Sequence, residues 1–140
     1  MKNAISIILV LTLLCSSIFS GALAEEASQR SSNYFTSYGT SMGTPGGGGI
    51  NITFKAVGTD ICNQIGVANY QVQKLDDDGD WVFVSNPLSG QTGTNVASYT
   101  FGRYFQGVAG ETYRIQVTFL CCIGTGVETK SYTSGRITAK

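Results

Sequence analysis

Gly110-Glu111-Thr112-Tyr113-Arg114-Ile115-Gln116-Val117-Thr118-Phe119-Leu120-Cys121 is the stretch on which the fold turns. Tyr113, Ile115, Val117, Phe119 and Cys121 alternate with Arg114, Gln116, Thr118 and, less cleanly, Leu120. A period of two gives one apolar and one mostly polar face, the pattern of a half-buried strand in an antiparallel sheet. Gly107-Val108-Ala109-Gly110 in front of it reads as a turn. Behind it, Ile123 to Val127 is a glycine turn, and Glu128 to Ala139 reads as the closing strand.

The same reading extends toward the N-terminus. Ala97, Tyr99, Phe101 and Phe105 line a strand in which Gly102 marks a bulge. Asn86 to Asn95, with Pro87, Gly90 and Gly93, is a polar loop. Trp81 to Ser85 forms a strand joined to Val67–Leu75 through the hairpin turn Asp76-Asp77-Asp78-Gly79. On Val67–Leu75, Ala68, Tyr70 and Val72 oppose Asn69, Gln71 and Gln73. Gly58 to Gly66 reads as a connecting loop. Ile50, Ile52, Phe54 and Ala56 alternate with Asn51, Thr53 and Lys55 in a further strand. Gly43-Thr44-Pro45-Gly46-Gly47-Gly48-Gly49 is a turn; it opens a strand and lacks Lys, so it is no phosphate-cradling loop. Tyr34 to Tyr38 is a short aromatic strand behind a loose polar tail at 25–33. No window keeps a helical period.

Residues 1–24 read as a secretory signal peptide: Lys2, an apolar run from Ile5 to Leu14, and Ala22-Leu23-Ala24 as the cleavage site. The run is too short for a spanning helix, and the mature chain has no membrane span. Residues 25–49 form an N-terminal tail with the short aromatic strand and the Gly-rich turn; 50–140 form the main domain. Removing Lys2 leaves eight Lys and Arg against nine Asp and Glu, a mature charge of about −1. No basic stripe is present, which argues against a nucleic-acid partner. The expected location is outside the cell, free or associated with its surface.

Six or seven strands with turn signals about every ten residues predict an all-β, antiparallel β-sandwich of about seven strands. Ala109-Gly110-Glu111-Thr112-Tyr113-Arg114-Ile115-Gln116-Val117 resembles the penultimate strand of fibronectin type III and related immunoglobulin-like domains. The resemblance implies that Tyr113 hydrogen-bonds back across a corner. Tyr70-Gln71-Val72, the acidic hairpin and Trp81 add to it, although Trp81 falls after the hairpin rather than before it. The whole chain is similar to small uncharacterised secreted proteins of Gram-positive bacteria, a resemblance that implies no activity.

Three cysteines follow the signal segment: Cys62, Cys121 and Cys122. Export favours disulfides. In the sandwich topology the Cys62 loop and the end of the 110–121 strand emerge together, so Cys62 can meet either neighbour. Cys121 continues the inward face and Cys122 points outward; Cys62–Cys122 is favoured over Cys62–Cys121, because a rim partner is easier to reach. Closing about sixty residues gains on the order of 4 kcal/mol in the chain-entropy model. A Cys121–Cys122 ring and three free thiols are the alternatives. Three Cys without His or C-x-x-C spacing do not make a zinc site.

Asp76, Asp77, Asp78 and Asp80 cluster around Gly79, a candidate calcium site, but without the alternating register or distant Glu of a calcium loop. A hairpin turn asks for Asp and Gly on backbone grounds alone. Trp81, with Tyr34, Phe35, Tyr38, Tyr104 and Tyr132, is a candidate aromatic surface for sugar or peptide, or else core packing. The chain has no His, which removes Ser-His-Asp and Cys-His catalysis. No catalytic residue, metal or cofactor is assigned. The expected function is a secreted, non-catalytic binding or adhesion-type module for a protein or glycan. A structural cell-envelope protein is the alternative, and a small hydrolase ranks last.

Overall fold

The computed structural model describes residues 32–140; the expected signal peptide and nearly all of the polar tail lie outside the described residues. Eight strands follow in order: β1 (Phe35–Gly46), β2 (Gly49–Leu75), β3 (Trp81–Phe83), β4 (Leu88–Ser89), β5 (Thr92–Gln106), β6 (Thr112–Ile123), β7 (Gly126–Thr133) and β8 (Ile137–Thr138). All pairings are antiparallel, and no helix occurs among the described residues.

β2 organises the sheet through its 27 residues. Along one edge it pairs first with β1 and then with β6; along the other it pairs with β5, β4 and β3. β7 and β8 extend the sheet beyond β6. The ladders thus join all eight strands into one sheet, curled into a half-barrel. They do not divide into the two separate sheets expected of an immunoglobulin-like sandwich.

The reason lies at Gly58–Gly66, which is strand rather than the expected loop. Gly58, Asp60, Asn63 and Gly66 interrupt the alternation, but partners on both sides supply the ladder: Gln64 pairs with Thr94 and with Cys122. Between Val57↔Ser98 and Cys62↔Val96, Gly58 to Ile61 face Ala97 alone. Extra residues on one side of a ladder bend and twist the strand. The bend is large. Phe54 and Tyr70 lie sixteen residues apart on β2, about 50 Å along a straight strand, yet their ring centroids are 5.0 Å apart. β2 is folded over its own core.

That core takes Ile50, Ile52, Phe54 and Ala56 from the first half of β2, and Ile65, Val67, Tyr70 and Val72 from the second. β6 contributes Tyr113, Ile115, Val117, Phe119 and Cys121, the alternation read from the sequence. Phe54 stacks on its cross-strand partner Phe101 at 4.9 Å. Each large apolar side chain so buried stabilises the fold by about 1.5–3 kcal/mol.

Local irregularities move several residues from their expected places. A bulge between Val67↔Phe119 and Asn69↔Thr118 turns Val67 inward and leaves Ala68 exposed. Gly102 pairs with Thr53 in an unbroken ladder, so no bulge occurs there. The loop expected at 86–95 contains β4 and the start of β5. β1 runs the whole way from Phe35 to Gly46 against β2, so the segment expected as a tail with a short strand belongs to the sheet. The closing strand breaks at Ser134, whose hydroxyl accepts the Ile115 N–H at 2.8 Å and whose own N–H donates to the Ile115 carbonyl at 2.9 Å.

Two joints fix the turns. The Tyr113 hydroxyl accepts the Val108 N–H at 2.9 Å, the corner contact expected of that tyrosine. Gly48, at φ +81°, donates to the Lys140 carbonyl (2.8 Å) and accepts the Gly107 N–H (3.0 Å). A Cβ there would meet the Gly107 oxygen at 2.6 Å, so the glycine run is a close-packed backbone joint.

Candidate functional site

The concave face of the sheet is filled by the core, which leaves the convex faces for recognition. Residues directly opposite one another on paired strands share a face. On the second half of β2, Gln73 stands opposite both Phe83 and Arg114, Leu75 opposite Trp81, and Gln71 opposite Gln116. The row continues through Asn69↔Thr118, Thr118↔Ser131 and Gln116↔Thr133. One convex face therefore carries two aromatics, an arginine, three glutamines, an asparagine and several hydroxyls.

Its aromatic end is held in place. The Arg114 guanidinium lies 4.3 Å from the centre of the Trp81 ring. Its Nε donates to Gln73 Oε1 at 2.7 Å, and Gln73 is buried although it stands on the outer face. The cation–ring contact is worth about 0.5–1 kcal/mol at a half-exposed site, and the glutamine fixes the plane of the guanidinium. Phe83, two residues from Trp81 and on the same face, is 53% exposed. β3 is anchored by Val84 N–H donating to the Val72 carbonyl (2.9 Å) and by Ser85 Oγ accepting the Val72 N–H (2.9 Å). At the polar end, Asn69, Gln71, Gln116, Thr118, Ser131 and Thr133 line a shallow depression of about 170 Å³.

The expected aromatic surface of Trp81, Tyr34, Tyr38, Tyr104 and Tyr132 is not assembled. Tyr38 packs against Phe35 (5.2 Å), Phe119 (5.3 Å) and Tyr132 (6.3 Å) at the margin of the core. Tyr34 is tied down by its N–H to Glu128 Oε2 at 2.8 Å. Tyr104 is 57% exposed but lies on β5 opposite Asn51, on the first half of the sheet, its hydroxyl donating to Gln106 Oε1 at 2.6 Å. Aromatic residues suit strand packing, and three of these five are spent on it. Only Trp81 stands on the second-half face. Phe83 and Arg114 were absent from the sequence-based set; the signal was there in their spacing, since Phe83 is two positions from Trp81 and Arg114 occupies the polar phase of β6.

The acidic turn is accounted for by backbone bonds. Asp76 Oδ1 accepts the N–H of Asp78 (3.0 Å) and of Asp80 (2.8 Å), and Gly79 takes φ +86°. Asp77, Asp78 and Asp80 are exposed. Among the described residues no three His, Cys, Asp or Glu side chains gather as a metal centre. Glu111 and Glu128 are engaged by Lys74 (3.8 Å) and Lys130 (3.1 Å).

Cys62 and Cys121 are both fully buried, and the Cys121 thiol donates to Cys62 Sγ across 3.0 Å. That is a contact between two thiols; a covalent bridge would measure about 2.05 Å. Cys122 is half-buried and stands opposite Gln64 and Val127. The neighbour of Cys62 is therefore Cys121, not the favoured Cys122: β2 has become strand at this point, so Cys62 lies beneath the sheet rather than in a rim loop. Burial, and then the bond to Cys62, push the Cys121 thiol from 9.0 up to about 12. Such a thiol is a poor nucleophile.

A second depression, of about 320 Å³, lies on the first-half face among Ser37, Gly39, Ser41, Thr53, Lys55 and Thr100. Its lining adds to these hydroxyls and one amine the half-buried Tyr38, whose ring is engaged by Phe35, Phe119 and Tyr132. Neither this depression nor the other is lined by an acidic side chain.

Comparison with known proteins identifies no family. No protein-family model matches the chain, and no curated protein matches it either. Among solved structures, the chain is similar to the sporulation control protein Spo0M of Bacillus subtilis, with 15% identity over 74% of this chain and a TM-score of 0.45. It spans about half, 48%, of that chain. A protein from Archaeoglobus fulgidus is similar at 16% identity, with 76% of this chain and 98% of that one covered and a TM-score of 0.41.

Proposed function

We propose that the chain is an exported, non-catalytic carbohydrate-binding module, and that it binds through the convex face of β3, the second half of β2 and β6. One observation carries this reading: Trp81, Arg114 and Gln73 form a braced aromatic corner beside exposed Phe83, continuous with a field of side-chain amides and hydroxyls. A sugar ring has an apolar C–H face and a rim of hydroxyls. The first packs on an aromatic ring; the second pairs with groups that both donate and accept, as Gln, Asn, Ser and Thr do. A net charge near zero fits a neutral ligand. The absence of His and the engagement of Glu111 and Glu128 support a role without chemistry. A shallow, open face favours an extended polymer bound weakly at each sugar over a small molecule held in a pocket.

Retention of the purified protein on insoluble peptidoglycan, chitin and cellulose tests the proposal. Trp81→Ala and Phe83→Ala are each expected to weaken retention about tenfold or more, equivalent to about 1.4 kcal/mol, with the β-sheet circular dichroism unchanged. No retention on any of the three polymers, or retention indifferent to both substitutions, would sink it.

A further inference from the structure

We infer that Cys62 and Cys121 are joined as an intramolecular disulfide in the exported protein, and that Cys122 stays a thiol. This goes beyond the binding reading and shares with it only export, so a failure of polysaccharide binding leaves it standing. The sulfurs are already in contact at 3.0 Å, and both residues are fully buried. Their approach is built by the fold. Cys121 stands opposite Ile65, three positions along β2 from Cys62, in a regular ladder. Asn63 and Gln64 between them are both exposed, so β2 twists in this interval to send Cys62 and Ile65 to the same side. Gly58 lies beside the Cys62 sulfur, and a Cβ at that position would occupy the sulfur's space. The site is thus cleared for a sulfur on one strand and supplied with one from the other. Cys122 leaves β6 on the opposite face and has no such approach.

The chemistry is a two-electron oxidation. Two S–H bonds break, one S–S bond forms, and two protons and two electrons leave. The acceptor is a disulfide, either a small-molecule disulfide or a thiol–disulfide exchange protein, which is reduced to two thiols. Exchange proceeds through a thiolate. The raised Cys121 thiol of the closed core therefore reacts slowly, and the bond forms while the chain is folding, before burial is complete.

The test uses the full chain, refolded with a mixture of oxidised and reduced glutathione and cleaved with trypsin without reduction. Fragment 56–74 is expected to run linked to fragment 115–130, and reduction to separate them. Because 115–130 holds two cysteines, the variants decide between them. In Cys122→Ser the link persists at wild-type yield; in Cys121→Ser it falls at least tenfold. Recovery of both fragments unlinked from folded wild-type protein overturns the inference. So does a link that survives Cys121→Ser and vanishes in Cys122→Ser. If Cys121→Ser does not fold, Cys122→Ser still decides, since loss of the link there is the overturning result.

Discussion

The two halves of β2 make an instructive pair. Residues 49–57 and 64–75 belong to one strand, both are flanked on each side by antiparallel neighbours, and both bury one alternating row of apolar side chains. Their convex faces differ. The first half displays Asn51, Thr53 and Lys55 with Ser37, Ser41 and Thr100, small polar groups around glycines, and the exposed ring of Tyr104 opposite Asn51, bonded to Gln106. The second displays Gln71 and Gln73 with Arg114, Trp81 and Phe83. The inward rows serve one shared core and are constrained by it. The outward rows are released from packing, so their contrast is where a difference in role can be read.

The sharpest way to break this comparison is to ask whether the core is truly shared. Phe54 sits on the first half, and Phe119 lies on β6 opposite Val67 of the second half. Phe54→Ala and Phe119→Ala are each expected to cost about 3–5 kcal/mol. Each is also expected to lower a single unfolding transition for both halves. Trp81 fluorescence follows the second half, and amide exchange at Ile50–Ala56 follows the first. Separate midpoints for the two probes would show two independent cores.

A smaller effect sharpens the picture at the junction of the halves. With Cys62 and Cys121 reduced, the core holds a neutral Cys121 thiol, raised from 9.0 to about 12, while the unfolded chain ionises it at its ordinary value. The stabilisation is then complete below about pH 9 and is lost as pH rises toward 12. Denaturant midpoints between pH 8 and pH 10.5 should therefore fall more steeply for reduced than for oxidised protein. Parallel curves would mean that the thiol does not titrate with folding. The smallest effect concerns the first-half face. Lys55→Ala is expected to leave both polysaccharide retention and stability unchanged within about 0.5 kcal/mol. Weakening comparable to that of Trp81→Ala would move the binding face to the other half.

Much of this architecture was legible in the residues. The β6 alternation from Tyr113 to Cys121 gave the buried face residue by residue, because a regular ladder preserves the period of two. The Tyr113 bond to Val108 is present as the resemblance to fibronectin type III strands implied, not as anything the alternation alone dictates. What could not be read locally is β2. Gly58, Asp60, Asn63 and Gly66 carry loop propensities, and the strand persists there because β5, β6 and the bond from Thr59 N–H to the Tyr34 carbonyl supply partners from distant parts of the chain. β1 was underestimated for a related reason: Thr40 to Gly46 has small, weakly patterned side chains, and its ladder to β2 is what makes it a strand. The candidate face was half legible. Trp81 was singled out, but its partners depended on cross-strand register, which converts Gln73, Phe83 and Arg114 into neighbours.

The bent β2 also sets how the chain reaches its native state. Two of its pairings are local: β1 joins it through the Gly46–Gly49 turn, and β3 through the Asp76–Asp80 turn. The others, with β4, β5 and β6, wait for segments made later in the chain. Two hairpins at opposite ends of one strand can thus form early, but neither has a core until β5 and β6 arrive. Closing such distant contacts is entropically slow, and sheets of this kind fold in about milliseconds to seconds. That delay is also the interval in which Cys62 and Cys121 remain open to exchange.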